Sequence, residues 1–129
     1  LLTDEAKNSW EGDDGMIDLS SANLNSSNKV IDNFFYRIFT AISKTNEFVR
    51  ESTDEKINSR GLNESQKTEV KYYRAEARFL RALLYFHAID NFGNVPFIDE
   101  TDLPGTTAPK VRTRQQVFSF IEGELKDII

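Results

Sequence analysis

The chain has 129 residues, 29% charged and 39% hydrophobic, with ten Phe, four Tyr and one Trp. That is enough apolar material for one buried core and too much for a disordered chain. The absence of Cys excludes disulfide scaffolds, Cys-ligated zinc and thiol nucleophiles together. A formal net charge of −5 argues against a nucleic-acid partner, and no apolar run approaches the roughly 20 residues of a membrane helix.

Residues 1–29 carry six acids and two lysines, one aromatic residue (Trp10), and many Asn, Ser and Gly. Such a composition favours turns stabilised by short polar side chains over regular elements. An irregular acidic segment is therefore expected at 1–29, followed by a helical body over 30–129. The start Leu1-Leu2-Thr3-Asp4 has neither Met nor the pattern of a signal peptide.

A first long helix is predicted from about Lys29 to Ser52, capped by Ser27 or Asn28. Ile31, Phe34, Phe35, Ile38, Ile42 and Val49 fall on one stripe at helical spacing, with Arg37, Lys44 and Glu47 opposite. Thr53–Leu62 is polar, contains Gly61, and reads as a connector. A second helix then begins at a capping box, Asn63-x-x-Gln66, and runs without Gly or Pro to Phe92, where Gly93 stops it and Pro96 prevents its resumption. Tyr73, Ala77, Leu80, Leu83 and Leu84 make its apolar face, widened by Phe79, Ala82, Phe86 and Ile89. An arc this broad packs against more than one neighbour. After a Pro/Gly/Thr loop at Leu103–Lys110, a second capping box, Thr113-x-x-Gln116, opens a third helix with Val117, Phe118, Ile121, Leu125 and Ile128 as its buried stripe. The stripe runs to the last residue, so the chain is expected to be a piece of a longer one, cut at both ends. The fold class is all-α, a tetratricopeptide-like helical repeat scaffold, although the 34-residue period of that repeat is not satisfied.

Each chemically suggestive residue has a plain structural alternative. His87, the single His, lies on the face of Leu80 and Leu84 and reads as a hydrogen-bonded core residue. Glu76 points toward the same face, where Arg37 or Asn46 could pair with it; it stands about 16 Å from His87 along the helix, too far for shared acid–base work. Lys67, Lys71, Arg74, Arg78 and Arg81 step by four, three, four and three into a basic stripe, read as a solvated face bridged to acids elsewhere and lying opposite the core. Asp13-Asp14-Gly15-x-x-Asp18 has calcium-like residue types without EF-hand spacing. Trp10, Asp13, Asp14, Asn23 and Asn25 offer the aromatic platform, carboxylates and amides that bind a sugar; Trp10 could equally plug the helical body. No metal or cofactor site is expected.

The run Tyr73-Arg74-Ala75-Glu76-Ala77-Arg78-Phe79-Leu80-Arg81-Ala82, through Tyr85-Phe86 to Phe92-Gly93-Asn94-Val95-Pro96, resembles the signature of the SusD/RagB family of Bacteroidetes outer-membrane nutrient-binding lipoproteins: an A-E-A-x-F-L-R-A helix ending in F-G-[DN]-x-P. Tyr36, Ile38, Ile42 and Asn46 resemble the family's Y-x-x-I-x-x-x-N pattern, loosened by one position. Arg114 to Leu125 resembles its third block, so the likeness spans about residues 30–129. The resemblance implies a tetratricopeptide-like scaffold holding loops for a polysaccharide or oligosaccharide, without enzymatic activity, cofactor or nucleic acid. It implies a TonB-dependent, SusC-like transporter as partner, and a cell-surface, outer-membrane location through a lipidated Cys upstream of Leu1. Glu76 and Arg81 match the signature and are implied to be scaffold residues. Residues 1–29 match no family motif, so sugar contacts there rest on their chemistry alone. The competing reading is a helical protein–protein interaction module with no carbohydrate ligand.

Overall fold

The computed structural model describes residues 15–23, 25, 27–103, 105 and 108–128. Within them the chain is mostly helical, with five helices and one small antiparallel ribbon: α1 (Met16–Ser20), α2 (Lys29–Glu51), α3 (Asp54–Ser59), α4 (Glu64–Phe92), β1 (Val95–Phe97), β2 (Lys110–Arg112) and α5 (Arg114–Asp127). The chain forms two compact units that meet in sequence between Arg37 and Ile38.

In the first unit, the expected irregular segment contains a short helix, α1, which buries Leu19. Gly15 precedes it with φ of 79°, a left-handed value that suits glycine. Its carbonyl accepts a hydrogen bond from Asn28 Nδ2 at 2.8 Å. A Cβ at position 15 would lie 2.7 Å from that same nitrogen, so glycine is required twice over. Asn28 is the N-cap of α2: its Oδ1 accepts from the amides of Val30 and Ile31 at 3.0 and 3.2 Å.

The second unit is built on three helices. Ile38, Ile42 and Val49 of α2 are buried as their spacing predicts. The polar stretch 53–62 is more than a connector, because Thr53 accepts a hydrogen bond from Lys56 and starts the six-residue helix α3, whose Ile57 is buried. Both capping boxes form as predicted, at Asn63/Gln66 and Thr113/Gln116. Gly93 ends α4 with φ of 72° and ψ of −104°; φ is positive as expected, although ψ falls outside the left-handed helical well.

Directly after Gly93 the chain does something the helical pattern does not announce. Val95, Pro96 and Phe97 pair antiparallel with Arg112, Val111 and Lys110. Pro96 is tolerated because the ribbon has only two strands and no further ladder needs its N–H. Val95 and Phe97 point inward and join Ile38, Ile42, Ala82, Tyr85, Ala88, Ile89, Val117 and Ile121 in the core. Tyr85 stacks on Phe97 with centroids 5.0 Å apart, and Phe120 meets Phe97 edge-on at 4.8 Å.

The buried face of α4 is not the one its Leu and Phe residues suggest. Ala77, Arg81, Ala82, Tyr85, Ala88 and Ile89 are buried. Tyr73, Phe79, Leu80, Leu83 and Phe86 are each 41–49% exposed among the described residues, and His87 and Glu76 are exposed as well. On α5, Val117 and Ile121 are buried as predicted, but Phe118 is half exposed and Glu124 is buried in its stead.

Tyr85 is fully buried, and its hydroxyl accepts from the Ile98 amide at 2.9 Å while donating to the Ile98 carbonyl at 2.7 Å. Both backbone groups at the end of β1 are thereby satisfied by one side chain. Burial pushes the phenol well above its ordinary value of 10, so the neutral form is favoured in the folded state. This stabilisation is complete below pH 10 and is lost as the pH rises from there toward the folded-state value. Urea unfolding of this chain should therefore show stability falling above pH 10, and Tyr85→Phe should flatten that slope while lowering stability at pH 7 by about 1–3 kcal/mol.

Candidate functional site

The segment after β1 is held on two sides by side chains of the helical body. From α4, Tyr85 grips Ile98. From α2, Asn46 Nδ2 donates to the Ile98 carbonyl at 3.0 Å, and Arg50 Nη1 donates to the carbonyls of Glu100 and Asp102 at 3.2 and 3.1 Å. Within the segment, Asp99 Oδ1 accepts from the amide and hydroxyl of Thr101 at 2.9 and 2.6 Å, and the Asp99 amide donates to Asp102 Oδ2 at 3.0 Å. This closes a compact Asx-type turn.

Beneath that turn lies a buried charge network. Arg81 is 1% exposed; its Nε and Nη2 donate to Glu124 Oε2 at 3.1 and 2.6 Å, and its Nη1 donates to Asn46 Oδ1 at 2.7 Å and to Glu100. One guanidinium thus joins α2, α4, α5 and the segment after β1. Arg78 reaches the other oxygen of Glu124 at 2.7 Å and Asp127 at 3.2 Å, and these acceptors raise its already high pKa. Arg81 and Glu124 thus have partners on every side, the condition under which burial of an ion is tolerable.

Between α2 and the segment that follows β1 this framework leaves a cavity of about 320 Å³. Ser43, Asn46 and Arg50 form one wall, and Ile98, Asp99, Asp102, Leu103 and Pro109 are among the residues of the other. Its lining mixes a guanidinium, two carboxylates, a hydroxyl and aliphatic surface. No group of three or more His, Cys, Asp or Glu among the described residues is placed to hold a metal ion.

Residues 3–128 match the model of the SusD-like family, described as starch-binding and associating with the outer membrane. The chain belongs to that family. It is also 27% identical over 128 residues to the starch-binding protein SusD of Bacteroides thetaiotaomicron, an alignment covering 99% of this chain and 21% of that protein. The chain therefore spans about a fifth of that relative's length. No solved structure matches it.

The SusD-like signature acquires a physical meaning here. Arg81 of the A-E-A-x-F-L-R-A motif, Asn46 of the Y-x-x-I-x-x-x-N block and Glu124 of the third block are the three points of the buried network. Arg81 is the scaffold residue its motif implies, but it lies in the core and not on a solvated basic stripe. Asn46 pairs with Arg81 and Ile98, not with Glu76, which is exposed. Of the rest of the basic stripe, Lys67 bridges to Glu64 at 2.7 Å and Lys71 to Asp54 at 3.1 Å as expected, whereas the Nε of Arg74 is buried with no hydrogen-bond partner among the described residues. His87, expected in the core, is exposed at the surface of α4 because the buried face is rotated toward Arg81 and Tyr85.

Of the predicted sugar-contacting residues, Trp10, Asp13 and Asp14 lie outside the described residues. Asn23 and Asn25 are exposed between α1 and α2. The Asn23 amide donates to the Asp18 carbonyl at 2.9 Å, and Asn25 Oδ1 accepts from the Ser27 amide at 2.9 Å. A signal for the missed network was present: Asn46 continues the Ile38–Ile42 stripe of α2, and Glu124 sits three residues after Ile121 on the stripe of α5. Polar residues on two apolar stripes require partners, and Arg81 is the residue that supplies them.

Proposed function

We propose that the protein is a glycan-binding, non-enzymatic component of an outer-membrane nutrient-uptake complex, in which it works with a TonB-dependent, SusC-like transporter and is held at the cell surface by an upstream lipid anchor. The family match over residues 3–128 carries this reading, and the likeness to a starch-binding protein supports polysaccharide or oligosaccharide as ligand. The chemistry of the helical body agrees with a holding role. The buried Arg81 and Glu124 are paired with each other, Arg81 also holds Glu100 of the segment after β1, and the carboxylate of Glu124 is occupied by two arginines.

In this reading Trp10, Asp13, Asp14, Asn23 and Asn25 meet the glycan, the indole against the apolar face of a sugar ring and the amides and carboxylates against hydroxyls. Affinity electrophoresis and titration calorimetry of the full-length protein on a panel of polysaccharides test it. Binding to at least one glycan is expected, weakened at least about tenfold by Trp10→Ala. Binding to none would overturn the ligand class. The exposed apolar residues of α4, Phe79, Leu80, Leu83 and Phe86, favour the competing reading of a protein-interaction module, which that negative outcome would leave standing.

A further inference from the structure

We propose that the cavity between α2 and the segment after β1 binds one neutral sugar unit, at a place separate in sequence from the residues 10–25 invoked above. Its volume of about 320 Å³ lies at the small end of the roughly 300–1,000 Å³ typical of ligand sites, which suits a single ring and not an extended chain. Its lining decides the chemistry. Arg50 stands on one wall and Asp99 and Asp102 on the other, so an anion meets two carboxylates and a cation meets a guanidinium. A neutral ligand that both donates and accepts hydrogen bonds satisfies both walls at once.

Hydroxyl groups have that property. Carboxylate oxygens accept from adjacent hydroxyls, while Arg50 and the Ser43 hydroxyl can donate to them. Ile98, Leu103 and Pro109 provide aliphatic surface for the C–H edges of the ring. No aromatic residue is in the lining among the described residues, so recognition here is by hydrogen bonds and shape, without the ring stacking that Trp10 would offer.

The site is also preorganised. The bonds from Asn46 to Ile98 and from Arg50 to Glu100 and Asp102 fix the second wall against α2 before any ligand arrives, and Asp99 is oriented by Thr101. Little ordering remains to be done on binding. That a sugar, among neutral polyhydroxylated compounds, is the occupant rests on the glycan reading above.

Saturation-transfer difference NMR on the full-length protein tests this with glucose, galactose, mannose and xylose, and with glucuronate and glucosamine as charged counterparts. At least one neutral sugar is expected to give signal, and glucuronate and glucosamine to bind at least about tenfold more weakly than glucose if glucose is that sugar. Ser43→Phe, which plugs the cavity from an exposed position of α2, should abolish the signal, whereas Ser43→Ala and Trp10→Ala should change it less than about threefold. A crystal of the unaltered protein soaked in the same sugar should show it between Ser43 and Asp99. No signal from any neutral sugar, an undiminished signal in Ser43→Phe, or an empty cavity in the soaked crystal overturns the proposal. If polysaccharides bind and the cavity stays empty, the glycan reading survives alone. If the cavity fills while no polysaccharide binds, the site survives and the polysaccharide reading falls.

Discussion

Arg81→Met should destabilise the fold by about 3–5 kcal/mol, a large share of the roughly 5–15 kcal/mol that separates folded from unfolded domains. The substitution conserves much of the side chain's volume and apolar stem, so the loss is not chiefly one of packing. It strips two contacts from Glu124, which is buried, and one from Asn46, also buried, leaving acceptors without donors in the interior. Arg81→Lys should recover little, because one ammonium on a flexible stem cannot reach Glu124, Asn46 and Glu100 in the fan that a planar guanidinium spans. The diagnostic variant is the pair Arg81→Met with Glu124→Leu, which removes the buried carboxylate left with Arg78 alone on one of its oxygens and should be more stable than Arg81→Met alone. Urea unfolding followed by far-UV circular dichroism reads all three. Equal stability of the single and double variants would show that the network is not what Arg81 contributes.

Ile42→Ala should cost about 2–5 kcal/mol and Leu80→Ala less than about 1 kcal/mol in the same chain, reversing what the apolar pattern of the second predicted helix suggests. Ile42 is 0% exposed in the centre of the core, and truncation there leaves a cavity lined by neighbours on α4, β1 and α5. Leu80 is 49% exposed, so its methyl groups are already half in water and their removal opens no internal void. The comparison is a direct measurement of which way α4 is turned. A loss above about 2 kcal/mol at Leu80 would mean that the Leu/Phe face of α4 is covered and that the face bearing Arg81 is misassigned.

The rotation of α4 explains how the sequence can be informative about elements and misleading about faces. Helix ends were legible because their causes are local: Asn63 with Gln66, Thr113 with Gln116 and Gly93 act within one turn of the chain. The stripe of α2 was legible in Ile38, Ile42 and Val49, which are buried, although Phe34, expected on the same stripe, is 40% exposed. On α4 two faces compete, and the richer in Leu and Phe is the exposed one among the described residues. Arg81 weighed toward solvent by its charge, when its partners Glu124 and Asn46 lie 43 and 35 residues away. The ribbon was missed for a related reason. Three residues carry no periodicity, and β1 is set by the grip of Tyr85 on Ile98, 13 residues off. The cavity was equally out of reach, since Ser43 and Arg50 become its wall only when the segment after β1 folds back over α2.

The reach of the Arg81 guanidinium has a kinetic consequence. Its partners stand 19, 35 and 43 residues distant along the chain, so none of these bonds helps while helices form locally; each awaits the closure of a long loop. An assembly of α2 and α4 alone would place the guanidinium in a partly dehydrated setting with its carboxylates still missing, and α4 with α5 alone would leave Asn46 unmatched. Half-docked arrangements are thereby penalised, while the complete one is not. The buried ion acts as a checkpoint on assembly, making the second unit form together or not at all.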